Sequence, residues 1–156
     1  MSRVQLALRV SDLEASVSFY ASLFGVRPAK RRPGYANFAV AEPPLKLVLI
    51  EGPPGVDTVI DHLGVEVGTS DKVGRAAARL AELGLSARVE DDTECCYALQ
   101  DKVWVHAPGA EPWEVYTVKA DAPHATSIYP AGASPETACT CGGPRGGDDA
   151  NRGATL

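Results

Sequence analysis

The sequence predicts an α+β fold built from two tandem βαβββ modules whose sheets curl around one shared cleft. Three observations lead there: a strand, helix and strands pattern occurs twice in order, each helical run stops at a glycine, and Gln5 and His62 interrupt the two opening strands at equivalent places. A chain of 156 residues suits one domain, or two small halves sharing a core.

Residues 4–10 alternate apolar and other side chains, as a half-buried strand does. Ser11 is a good N-cap with Glu14 three positions on, and Leu13, Val17, Tyr20 and Phe24 recur at helical spacing until Gly25. Residues 36–40 and 45–50 read as the strands that complete the first module. The second module opens with a strand over 61–67. Ser70 then caps a helix that lines up Val73, Ala77, Leu80 and Leu83 and ends at Gly84. Strand-like runs follow at 87–90, 97–100, 102–106 and 113–118, with a turn over 107–112. The predicted domain covers residues 1–119, with modules at about 3–51 and 60–119. From Ala120 to Leu156 the composition shifts to Ala, Gly, Pro, Ser and Thr, which predicts a flexible tail. That tail carries Cys139 and Cys141, a C-x-C pair able to chelate a soft metal.

The formal net charge of -5 offers no basic stripe for nucleic acid. No run of about 18 apolar residues is present to span a bilayer, and the 4–10 stretch is too short and too charged for a signal peptide. Four cysteines, two of them adjacent and two in the tail, fit a reducing compartment better than a disulfide framework. A cytoplasmic protein is expected.

If Leu6, Leu8, Leu63 and Val65 face the helices, strand alternation turns Gln5 and His62 into the cleft. It permits Glu114, between Trp113 and Val115, to face inward as well. Arg9 and Glu66 fall on the same phase and are expected to form an ion pair on the cleft floor. The neighbours Cys95 and Cys96 are expected to be a dithiol, because Cα atoms about 3.8 Å apart lie below the usual ~4.4 Å limit for a disulfide. Both sulfurs can grip one atom only if the segment is a turn or loop rather than an extended strand. Asp91, Asp92 and Glu94 precede the pair and should raise the thiol pKa values, which argues against a permanently ionised nucleophile. A soft electrophile can still displace the protons as it binds. The plainer alternatives are two small buried hydrophobes and, for His62, a satisfied core histidine. Tyr97, Tyr116, Lys102 and His106 receive no role, and Trp104 and Trp113 are read as packing.

Several segments in fixed order, from about residue 4 to residue 118, carry a family resemblance. They are Val4-Gln5-Leu6-Ala7-Leu8, Pro33-Gly34-Tyr35-Ala36-Asn37-Phe38, Asp61-His62-Leu63-Gly64-Val65-Glu66-Val67, Cys95-Cys96-Tyr97 and Trp113-Glu114-Val115-Tyr116. Together they resemble the organoarsenical C-As lyases and related cadmium-induced proteins of the vicinal oxygen chelate superfamily, whose curled glyoxalase-like sheet encloses a cleft. The resemblance implies a non-haem Fe(II) enzyme that uses O2 to cleave the carbon-arsenic bond of trivalent organoarsenicals, such as methylarsenite and reduced aromatic arsenicals. It implies Gln5, His62 and Glu114 as metal ligands and Cys95 and Cys96 as the substrate-binding pair. Leu47 is read at the place where four-ligand glyoxalases carry a further carboxylate. The competing expectations are a non-catalytic cadmium- or arsenic-binding protein and a ring-cleaving dioxygenase. A homodimer is expected by analogy.

Overall fold

The structure is a computed structural model that describes residues 1–123. Its elements run β1 (Arg3–Val10), α1 (Leu13–Phe24), β2 (Lys30–Arg32), β3 (Tyr35–Val40), β4 (Leu45–Glu51), β5 (Val59–Glu66), α2 (Ser70–Glu82), β6 (Ala87–Cys95), β7 (Ala98–His106) and β8 (Pro112–Asp121). The expected βαβββ pattern therefore occurs twice, as β1-α1-β2-β3-β4 and β5-α2-β6-β7-β8. All eight strands join one mixed sheet in the order β2-β3-β4-β1-β5-β8-β7-β6. The antiparallel β1/β5 pair is its centre, flanked by two parallel pairs, β1/β4 and β5/β8. Cys139, Cys141 and the expected tail beyond Pro123 lie outside the described residues.

Local chemistry fixes the helix ends. Asp12, not Ser11, caps α1: its side chain accepts from the Ala15 amide at 2.9 Å, and Gly25 closes the helix at φ 64°. Thr69 precedes α2 without a side-chain cap, while the Ser70 hydroxyl donates to Asp101 instead. At the far end the Leu85 amide reaches the Leu80 carbonyl and the Gly84 amide reaches Ala81, both at 3.0 Å. With Gly84 at φ 71°, this is a Schellman ending, which glycine permits without a Cβ clash.

The second-module strands are longer than the apolar pattern predicts. The acidic run 91–94 belongs to β6, and the two runs around Asp101 form the single strand β7. β8 continues through Ala120 to Asp121, past the expected tail boundary. Among the described residues no helix is long and apolar enough to cross a membrane.

Two apolar faces hold the helices on the sheet. Leu8, Val10, Leu13, Val17, Phe38, Leu47 and Leu49 form the core beneath α1, and Val73, Ala76 and Val103 form the one beneath α2. Full burial of such side chains stabilises by about 1.5–3 kcal/mol each. Strand alternation then commits the opposite face of the sheet to the cleft.

Candidate metal centre and sulfur pair

The cleft face is unusually polar for a buried surface. Gln5 from β1, His62 from β5 and Glu114 from β8 are each at most 5% exposed. Their donor atoms converge: the Gln5 amide nitrogen donates to Glu114 Oε1 at 2.7 Å and sits 3.0 Å from His62 Nε2, which is 3.4 Å from the same carboxylate oxygen. They meet because β1, β5 and β8 are adjacent, with Gln5 opposite Gly64 and Gly64 opposite Glu114 in register. Gly64 leaves the space between them. A Cβ there would stand 3.1 Å from Glu114 Cγ and 3.3 Å from Gln5 Nε2.

Charged neighbours surround the three. Lys102 Nζ holds Glu114 Oε2 at 3.1 Å, with both side chains buried. Burial alone would raise the Glu114 carboxyl pKa, but the Lys102 charge and the hydrogen bond and charge of His62 hold it well below the usual carboxylate range. His62 Nδ1 contacts Asp61 at 2.7 Å, and Arg9 in turn bonds Asp61. Burial would lower the His62 pKa, yet the hydrogen bonds to Asp61 and Glu114 outweigh it and lift it to about 9. On the other side of Gln5, the Tyr116 hydroxyl contacts both Gln5 Oε1 and Glu66 Oε2. Burial, then the charges of Glu114 and Glu66, raise the Tyr116 pKa.

The sulfur pair occupies a tight hairpin end. Cys95 pairs with Ala98 across β6 and β7, so Cys96 and Tyr97 are the two-residue loop, with φ values of 55° and 62°. Two consecutive positive φ values are the mark of a type I′ turn. The turn brings the two Sγ atoms to 3.1 Å. Two sulfurs bound about 2.3 Å from one soft ion can lie no more than about 4.6 Å apart, so this spacing lets one atom reach both. The expected turn is present, but the expected free dithiol is not: both Cys95 and Cys96 are held in disulfide linkage. Cys95 is fully buried against Trp104, and Tyr97 packs at 5.5 Å on Tyr35. Cys96, Gln5, His62 and Glu114 all line one cavity of about 190 Å³.

A family profile described as the Glyoxalase/Bleomycin resistance protein/Dioxygenase superfamily matches residues 3–116. The chain belongs to this superfamily. Within it, the chain is 70% identical over 122 residues to a trivalent organoarsenical cleaving enzyme of Thermomonospora curvata, covering 78% of this chain and 81% of that protein. It is 63% identical over 121 residues to the cadmium-induced protein of Mycobacterium bovis, covering 78% and 79% respectively. An extradiol ring-cleaving dioxygenase from B. fuscum shares the fold, with a TM-score of 0.56 and 23% identity over 76% of this chain and 33% of that one.

As a member of this superfamily the protein shows several site neighbours that the sequence pattern hides. Asp61 should point away from His62 by alternation, but the β1/β5 register shifts after Ala7, leaving Asp61 as the extra residue of a bulge beside His62. Gln100, Lys102 and Trp104 alternate onto the inner face of β7. Trp104 meets the His62 ring edge-on at 5.5 Å, and the Gln100 amide donates to the Cys95 carbonyl at 3.0 Å. Arg9 and Glu66 do not form the expected floor pair. Arg9 bonds Asp61, whereas Glu66 bonds Arg3 at 2.9 Å and Lys46 at 3.2 Å. Antiparallel pairing places Glu66 opposite Arg3 and Arg9 opposite Val59, at the two ends of the ladder. Leu47 packs under α1; the position equivalent to Glu114 is Val48, since Ala7 pairs with Val48 as Gly64 pairs with Glu114. Val48 lines the cavity and offers no donor to a metal.

The three converging side chains suit a transition-metal cation. Among the described residues no three His, Cys, Asp or Glu side chains gather so as to hold a metal ion, so a three-donor set on this wall would need the Gln5 amide. Imidazole, carboxylate and an amide turned to present its oxygen would make a three-donor set of the facial kind associated with non-haem Fe(II).

Proposed function

We propose that this protein is a non-haem Fe(II)- and O2-dependent C-As lyase that converts trivalent organoarsenicals to arsenite. The observation that carries this reading is the shared cavity: Cys96 and the three candidate metal donors line the same space. The activity that names the relative from Thermomonospora curvata supports it.

Gln5, His62 and Glu114 would hold the iron, which supplies activation of dioxygen when bound. Asp61 fixes the His62 ring by its contact to Nδ1, so that Nε2 faces the other donors, as the outer partners of metal-binding histidines do. Lys102 keeps Glu114 ionised. Once reduced to thiols, Cys95 and Cys96 would exchange their two protons for the arsenic of R-As(OH)2, releasing two waters and leaving R-As bound by two sulfurs. The rigid hairpin then directs the organic group across the cavity. Holding reactants side by side in this way can supply about 7 kcal/mol when the geometry is good.

The test is arsenite release from methylarsenite by anaerobically purified, Fe(II)-loaded protein before and after oxygen is admitted. Release that needs both iron and oxygen is expected. Cys95→Ser or Cys96→Ser should abolish capture of methylarsenite while leaving stoichiometric iron, and His62→Ala should do the reverse. The 63% identity to a cadmium-induced protein supports a second reading, in which the cysteines sequester the ion without turnover. That reading predicts tight retention of methylarsenite with no arsenite formed.

A further inference from the structure

The Tyr116 hydroxyl touches two groups at once: the Gln5 amide, through Oε1, and Glu66 Oε2 at 3.0 Å. A phenol has one proton to donate. Glu66 is a strong competitor for it, because Arg3 at 2.9 Å and Lys46 at 3.2 Å hold its carboxyl group as a carboxylate, and a charged acceptor forms the stronger bond. The other end of the same amide, Nε2, points at Glu114 Oε1 from 2.7 Å. That end is right for a cation-free site and wrong for a loaded one. An amide NH2 directs hydrogens at its partner and cannot ligate a cation; the carbonyl oxygen of the amide can.

Resting on the reading of Gln5, His62 and Glu114 as metal ligands, we infer that the Gln5 amide is a two-position ligand and that Tyr116 is the positioning residue serving both positions. In the cation-free position Nε2 faces Glu114 and Oε1 accepts the Tyr116 proton. In the loaded position the amide turns over about its terminal bond, Oε1 faces His62 and Glu114, and Nε2 donates to the Tyr116 oxygen. The hydroxyl, still protonated, then directs its hydrogen bond to Glu66, so no polar end of the amide is left unpartnered in either position. Glu66, fixed by Arg3 and Lys46, is the reason Tyr116 can switch from donor to acceptor.

The experiment measures divalent cation affinity by competition of Mn(II) or Zn(II) with a chromophoric chelator. Tyr116→Phe removes a partner from both positions and should change affinity little, whereas Glu66→Gln should lower it about tenfold, because a neutral acceptor no longer draws the hydroxyl away from Gln5 Oε1. The Glu66→Gln effect should disappear in the double variant with Tyr116→Phe. A Glu66→Gln loss of the same size with and without Tyr116→Phe would show that Glu66 does not act through the tyrosine and would overturn the inference. A second readout does not depend on either variant folding. The chain holds two glutamines, Gln5 and Gln100, so selective 15N-glutamine labelling gives two side-chain NH2 signals. Adding Zn(II) to the unaltered protein should move one pair strongly and leave the Gln100 pair nearly in place; an unmoved Gln5 pair with Zn(II) bound overturns the swivel alone. Failure of the unaltered protein to bind any divalent cation would overturn the metal reading itself.

Discussion

Replacing Lys102 with methionine removes the ammonium that neutralises Glu114 while keeping a side chain of similar length. The Nζ to Oε2 distance is 3.1 Å and both side chains are almost inaccessible, at 1% and 4%. Coulomb's law with an effective dielectric of about 20 gives roughly 5 kcal/mol at that separation. Breaking a buried pair on one side costs about 3–5 kcal/mol, because the surviving charge is left uncompensated. The cation-free Lys102→Met protein should therefore unfold at lower denaturant, by about 3–5 kcal/mol. A divalent cation beside Glu114 supplies the missing positive charge, so the penalty should shrink when the site is saturated with Mn(II) or Zn(II). By the thermodynamic cycle, the folded variant then binds the cation more tightly than the unaltered protein. Urea unfolding of both proteins, each with and without saturating cation, measures all four corners. Equal destabilisation in both states would refute the reasoning, since it would mean that Lys102 and the cation do not share Glu114 as their common partner.

Two further outcomes follow from the same geometry. His62 is raised from 6.5 to about 9, so its protonated form stabilises the cation-free fold fully below pH 6.5, and this contribution is lost as the pH rises toward 9. The loss is roughly 3 kcal/mol by linkage; it should vanish in His62→Gln and in cation-saturated protein, and a flat pH profile for the cation-free protein by denaturant titration would contradict it. Gly64→Ala puts a methyl group 3.1 Å from Glu114 Cγ and 3.3 Å from Gln5 Nε2, inside ordinary contact distance. The variant should lose roughly 1–3 kcal/mol of stability and at least tenfold in cation affinity, both measurable by chelator competition and unfolding; unchanged affinity would show that the two ligands can retreat together.

The periodic parts of the molecule were legible in the sequence because they obey one rule each. The alternation of residues 4–10 and the helical spacing from Leu13 to Phe24 are local patterns, and the structure places β1 and α1 there. Gln5 and His62 stood out because they are polar residues on a buried phase of two equivalent strands. What alternation could not reveal is what depends on register. Asp61 reaches His62 only because a bulge breaks the period of two. Lys102 looks like an ordinary strand residue until β7 and β8 pair and bring it to Glu114, twelve residues away in the chain. The acidic run 91–94 has poor strand propensity, yet β7 pairs with Thr93 and Glu94, and the irregularity between Glu90 and Thr93 takes up Asp91 and Asp92. The hairpin end likewise needed the Cys95 to Ala98 pairing before its two-residue turn could be recognised.

That hairpin end also sets a limit on engineering. A reversal of this hand is where Asn-Gly would ordinarily be written to strengthen a ribbon. This chain instead keeps Cys96 and Tyr97 in left-handed backbone conformations, each disfavoured by about 1–2 kcal/mol for side chains of their kind. Optimising the corner for robustness would erase one of the two sulfurs, so hardening the molecule has to begin elsewhere, and a library screened for heat tolerance alone would be drawn toward losing Cys96.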